Sequence, residues 1–84
     1  MIADELARWV IDTSESPSPV RHAALRHILD GFGTALAAFR LEAAAPAIAV
    51  ARGLGGPPEA SVIGGGERLS APAAAFANGT LIHA

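Results

Sequence analysis

The sequence predicts an all-α domain of about four helices, and three observations support this fold class. Apolar residues recur at helical spacing along two stretches, 2–13 and 19–40. Serine–proline and glycine-rich segments separate the helical stretches, as turns do. Hydrophobic residues make up 51% of the 84-residue chain and charged residues only 17%, which favours a packed domain over a disordered chain. This length allows one small domain.

The first predicted helix covers residues 2–13. Its apolar stripe has a period of 3.6 residues and consists of Ile2, Leu6, Trp9 and Val10. The charged residues fall on the opposite face, and a serine- and proline-rich turn follows. Within that turn, Ser18 is the expected N-cap of the next helix and Pro19 its first residue.

The second predicted helix, 19–40, changes character along its length. Its first half is amphipathic, whereas the stretch from Gly31 to Phe39 carries no charge and is expected to be enclosed by protein. Glycine inside a helix costs about 1 kcal/mol relative to alanine, a cost that a close helix–helix approach can offset. The residues predicted to form such a contact are Gly31, Gly33, Ala35 and Ala37.

Two further helices are predicted in the second half of the chain, at 46–53 and 71–84. Pro46 is a suitable first-turn residue for the third helix, and the Pro57–Pro58 pair forbids its continuation. Ser70 is the expected N-cap of the fourth helix. Between them, residues 60–63 form either a very short extended segment or a loop before a glycine turn.

Composition excludes several classes of function. The chain has no cysteine, which removes disulfides, Cys-ligated metal sites and thiol nucleophiles. Its net charge is −2 with six arginines and no lysine, so it has no basic footprint for nucleic acid. No run approaches the roughly 20 apolar residues of a membrane span. The acidic N-terminus lacks the positive charge of a secretory signal, and the expected location is the cytoplasm.

The local motifs for catalysis are weak. His22 and His27 are five residues apart, so they cannot share a ligand on a helix, and both are expected on the surface. The glycine runs Gly53–Gly56 and Gly64–Gly66 lack the features of a phosphate loop and favour structural turns. No metal-ligand cluster or nucleotide motif is present in the sequence, which therefore predicts no cofactor and no metal site.

His83 is the histidine with the most suggestive surroundings. It shares a helix face with Phe76, Gly79 and Thr80, and Gly79 leaves space one turn before it. That space suits either a ligand or a neighbouring helix, and the sequence leaves both alternatives open.

Four stretches of sequence stand out in order along the chain: LARWV at 6–10, ILDGFGTALA at 28–37, GGPPEASVIG at 55–64 and SAPAAAFANGTLIHA at 70–84. Together they resemble the N-terminal segment of the helical domain of the MmgE/PrpD family, which includes 2-methylcitrate dehydratase and cis-aconitate decarboxylase. On this resemblance, residues 1–84 are part of a larger all-helical domain, accompanied in the family by a second α/β domain.

The resemblance also implies a function. Family members are lyases that use metal-independent acid/base chemistry on carboxylated substrates, commonly as homodimers, and His83 and Asn78 would lie beside their active site. The chain is then expected to be an N-terminal fragment, inactive alone. Its parent would dehydrate a 2-methylcitrate-like tricarboxylate, or decarboxylate or isomerise a related polycarboxylate, and its partner would be a second copy or the remainder of a split enzyme. The alternative is a non-catalytic helical interaction or dimerisation module.

Overall fold

Four helices and one small hairpin make up the computed structural model, which describes all 84 residues. The elements are α1 (Ile2–Asp12), α2 (Ser18–Arg40), α3 (Ala45–Gly53), β1 (Ala60–Ser61), β2 (Arg68–Leu69) and α4 (Ala71–His83). The predicted mainly helical fold is confirmed. The strands are antiparallel, with Ala60 opposite Leu69 and Ser61 opposite Arg68, so the segment left open by the sequence begins as a strand.

A capping side chain is present at the start of α4 but not at the start of α2. Ser70 accepts a hydrogen bond at its Oγ from the Ala73 N–H at 3.4 Å, which confirms the predicted cap of α4. The predicted N-cap of α2 is wrong: Pro17 holds that position and Ser18 is already helical, with no side-chain cap. The reason is that the Pro17 carbonyl already accepts the first helical hydrogen bond, from Arg21 N–H at 3.0 Å.

Helix α2 ends in a Schellman turn with an unusual residue in its left-handed position. The Ala43 N–H donates to Ala38 O at 2.9 Å and the Glu42 N–H donates to Phe39 O at 3.1 Å, which is the hydrogen-bond pattern of that motif. Glu42 has a φ of 58°, a conformation that usually belongs to glycine. The chain then enters α3 at about a right angle, with 90° between the two helices.

The core is built mainly from alanine. It lies where α4 packs against both α2 and α3, with the hairpin beside them. The one large side chain that is fully buried is Leu81. The ten buried residues are Ala35, Ala38, Ala44, Ile48, Ala51, Val62, Ala73, Ala74, Ala77 and Leu81. Small side chains at these positions allow the helix backbones to approach closely.

Two of the four small residues on α2 that were predicted to form a close helix–helix contact do so. Gly31 and Ala35 face α4: Ala35 is fully buried, and a Cβ at Gly31 would lie 3.7 Å from Ile82 Cγ2. Gly33 faces open space and Ala37 is exposed. Residues two and six positions after Gly31 are rotated to the far side of a helix, about 200° and 240° away, so one packed face cannot include all four.

Much of the apolar surface has no cover within the chain. The accessible surface is 6236 Å², against about 4,700 Å² for a compact monomer of this mass. The radius of gyration is 15.7 Å, against about 12 Å expected for this length. No residue of α1 is buried. Phe32 and Leu36 are about half exposed, because α2 has a packing partner on one side only. These 84 residues alone therefore do not provide the predicted enclosure of Gly31–Phe39.

None of the four helices has both the length and the apolar character needed to cross a membrane alone; α2 and α3 reach these limits only as a bent pair.

Candidate functional site

An open concavity of about 600 Å³ lies along one face of α4. Four of its lining residues recur at spacings of three and four, so they stack along the helix. The lining consists of Ala43, Ala75, Phe76, Gly79, Thr80, His83 and Ala84. Since most of these side chains are small, the concavity can admit a ligand beside α4.

His83 is the titratable group of this concavity. It is the last residue of α4, and its side chain is exposed and makes no hydrogen bond to protein. The structure places it on one face with Phe76, Gly79 and Thr80, as the spacing predicts. Its use in catalysis remains a prediction.

Thr80 adds a polar atom to the same face. Its Oγ1 donates to Phe76 O at 2.9 Å, so the hydroxyl hydrogen is committed to the helix backbone. The lone pairs of the oxygen can still accept a hydrogen bond from a ligand. The concavity therefore offers one acceptor and one imidazole, and it is lined by no arginine.

Asn78, the second candidate residue from the sequence, lies elsewhere. It is five residues before His83, which is a rotation of about 140° around the helix. Its amide is bound to the hairpin: Oδ1 accepts from Ile63 N–H at 2.9 Å, and Nδ2 donates to Ser61 O at 3.0 Å. The structure therefore does not bring the two candidate residues together.

A second group of polar contacts, which sequence reasoning missed, fastens the hairpin to α3. Arg52 Nε donates to both carboxylate oxygens of Glu67, at 3.1 and 3.0 Å, and Arg52 Nη2 approaches Oε1 at 2.7 Å. These hydrogen bonds hold the pKa of Glu67 below its ordinary value and raise the pKa of Arg52. The partners are 15 residues apart on different elements, so no local spacing signals the pair.

The remaining candidate motifs have structural roles or lie on the surface. His22 and His27 are exposed on α2, as predicted. The glycine runs form turns, also as predicted, with positive φ at Gly55, Gly56, Gly64 and Gly66. Nowhere do three His, Asp or Glu side chains assemble into a group that could hold a metal ion.

Comparison with protein families gives a match to the MmgE/PrpD N-terminal domain over residues 4–84. The chain belongs to the MmgE/PrpD family. The resemblance found in the four sequence stretches is thus confirmed across almost the whole length. Comparison with curated proteins and with solved structures gave no match.

The lining of the concavity in this MmgE/PrpD segment carries little positive charge. A substrate with several carboxylates needs cations to hold it. Apart from His83, no basic residue lines the concavity. The concavity therefore presents one imidazole, that of His83, and no arginine side chain.

Proposed function

We propose that this chain forms one wall of the substrate site of an MmgE/PrpD lyase that acts on a small polycarboxylate. The observation that carries the proposal is the position of His83 on the rim of a concavity lined by small residues, in a chain matched by the family over residues 4–84. The reaction that best fits the family chemistry is dehydration of a 2-methylcitrate-like tricarboxylate. Decarboxylation or isomerisation of a related polycarboxylate would use the same wall.

The role proposed for His83 is proton transfer. Elimination of water requires a base to remove a proton from carbon and an acid to protonate the leaving hydroxyl, and an imidazole can serve as either. Thr80 would accept a hydrogen bond from the substrate. Because the cationic groups are missing from the concavity, we propose that the 84-residue chain has no turnover alone. The cations would come from the remainder of a split enzyme or from a second copy.

An NMR titration tests the proposed wall. The ¹⁵N-labelled chain is titrated to high concentrations of citrate or 2-methylcitrate, because without the cationic groups binding should be weak, and the expected shifts are confined to Gly79, Thr80 and His83. His83→Ala should abolish these shifts. The matched control His22→Ala removes an exposed imidazole from α2 and should leave them unchanged. Shifts spread over other helices would contradict the proposed wall, and turnover of 2-methylcitrate or cis-aconitate by this chain would contradict its inactivity.

The second candidate function is a non-catalytic helical interaction or dimerisation module. The observation in its favour is the uncovered apolar stripe of α1, where Leu6 and Trp9 are 58% and 64% exposed. Contiguous apolar surface of this kind marks interaction sites. Sedimentation equilibrium and the NMR titration together separate the two functions. A stable dimer with no carboxylate-dependent shifts favours the module, whereas carboxylate-dependent shifts along α4, in a monomer or a dimer, favour the substrate wall.

A further inference from the structure

The Asn78 side chain occupies the free edge of the first hairpin strand. On its other edge this strand pairs with residues 67–69; for example, Val62 N–H donates to Glu67 O at 3.0 Å. Asn78 reaches the C=O of Ser61 and the N–H of Ile63, the two groups on either side of Val62. One amide group thus makes the two hydrogen bonds that a residue of a neighbouring strand would make.

These two hydrogen bonds, which we call the bracket, are among several side-chain attachments of the hairpin, and together the attachments reach three helices. Arg52 on α3 binds Glu67. Phe39 on α2 lies under the backbone of the glycine turn, so closely that a Cβ added at Gly64 or Gly65 would lie 3.1 Å from a ring atom. On α4, the helix that carries His83, the Ala71 N–H donates to Glu59 Oε1 at 3.2 Å at the start of the helix, and Asn78 binds the hairpin strand farther along.

We propose that Asn78 is a positioning residue: by bracketing the hairpin strand, it fixes the rotation of α4 and thereby the direction in which the His83 face of this helix points relative to α2 and α3. A helix of small side chains can rotate or slide against its neighbours, because alanine surfaces offer few interlocking features. Two directional hydrogen bonds to a hairpin that is itself tied to α2 and α3 remove that freedom. A role for Asn78 in catalysis rests on the proposed function of His83. Its role in fixing the rotation of α4 does not depend on that function.

Two substitutions separate the bonds of the bracket. Asn78→Ala removes both, and leaves Ile63 N–H without its partner. Asn78→Asp has nearly the same shape and keeps the acceptor for Ile63 N–H, but it replaces the donor to Ser61 with a carboxylate oxygen. The matched control is Arg68→Ala, which removes a bond inside the hairpin, from Arg68 Nη2 to Glu59 O at 3.0 Å, and removes neither hydrogen bond of Asn78.

The readouts are hydrogen exchange at Ile63 N–H and the NMR signals of the His83 imidazole, with no ligand added. Neither readout depends on substrate binding, so a failed carboxylate titration leaves this test intact. Loss of the bracket should accelerate Ile63 exchange about tenfold in Asn78→Ala and should shift the His83 signals. Asn78→Asp should shift them in the same direction, and Arg68→Ala should leave them in place.

Several outcomes would overturn the proposal. Faster Ile63 exchange with unchanged His83 signals would make Asn78 a support of the hairpin only. Equal His83 shifts in Arg68→Ala would remove the specific role of Asn78. If Asn78→Ala does not fold, the proposal is tested with Asn78→Asp and with the unmodified chain. Rapid hydrogen exchange at Ile63 N–H in the unmodified chain would show that the bracket does not form.

Discussion

Alanine substitution at each of the three consecutive glycines of the hairpin tip should have a different cost. Gly64 has a φ of +85°, and a Cβ there would lie 3.1 Å from Phe39 Cγ. Gly65 has an ordinary φ, but its Cβ would lie 3.1 Å from Phe39 Cε2. Gly66 has a φ of +70° and open space around it. The three positions thus combine backbone strain and contact with Phe39 in three different ways.

The magnitudes follow from these two effects. A left-handed conformation costs an alanine about 1–2 kcal/mol, and forcing a methyl group into a packed contact costs about 1–3 kcal/mol. Gly66→Ala should therefore lose about 1 kcal/mol from strain alone, and Gly65→Ala about 1 kcal/mol from the contact alone. Gly64→Ala should lose about 2–3 kcal/mol from both. In a domain of this size, each kcal/mol lowers Tm by about 4–8 °C.

Thermal unfolding followed by circular dichroism at the helical signal measures these costs, and a Phe39→Ala background identifies their source. Removing the ring should abolish the cost of Gly65→Ala and leave that of Gly66→Ala unchanged, since only the former depends on contact with Phe39. Equal costs for Gly64→Ala and Gly66→Ala, or a cost of Gly65→Ala that survives in the Phe39→Ala background, would refute this reasoning.

Three other substitutions probe features outside the hairpin tip. Glu42→Gly should raise Tm, because glycine adopts the left-handed φ of 58° without strain; a lower Tm would contradict the assigned cap. Leu81→Ala should lower the free energy of unfolding in urea by about 2–5 kcal/mol, since Leu81 is fully buried. The same substitution at the neighbouring, half-exposed Ile82 should lower it clearly less. Arg52 lowers the pKa of folded Glu67, so the ion pair stabilises the fold in full above the unfolded glutamate pKa of about 4.3. That stabilisation is lost as pH falls through the lowered value. In Glu67→Gln the free energy of unfolding should therefore fall less steeply as the pH is lowered into the acid range. An equally steep fall would contradict a contribution of the ion pair to stability.

The helices were predictable because their signals are local. The capping serine at position 70 and the proline in the first turn of α3 mark helix starts within a few residues. The face shared by His83, Gly79 and Thr80 follows from helical spacing alone. In contrast, the N-cap of α2 was displaced by one residue, because the carbonyl of a neighbouring proline satisfies the helix end equally well.

The missed features all depend on contacts between distant parts of the chain. Strand β2 has only two residues, and it is held by pairing with β1 rather than by its own propensity. The two bonds of Asn78 span 15 and 17 residues. The direction of the packed face of α2 also depends on where α4 lies. Sequence spacing identifies which residues share a face, but only tertiary contacts decide which face is covered.

The alanine-built core restricts how this protein can evolve. Ala35, Ala73 and Ala77 are completely inaccessible where α2 and α4 meet, so any bulkier replacement would have to push the helix axes apart. Acceptable variation there is limited to residues about as small as alanine.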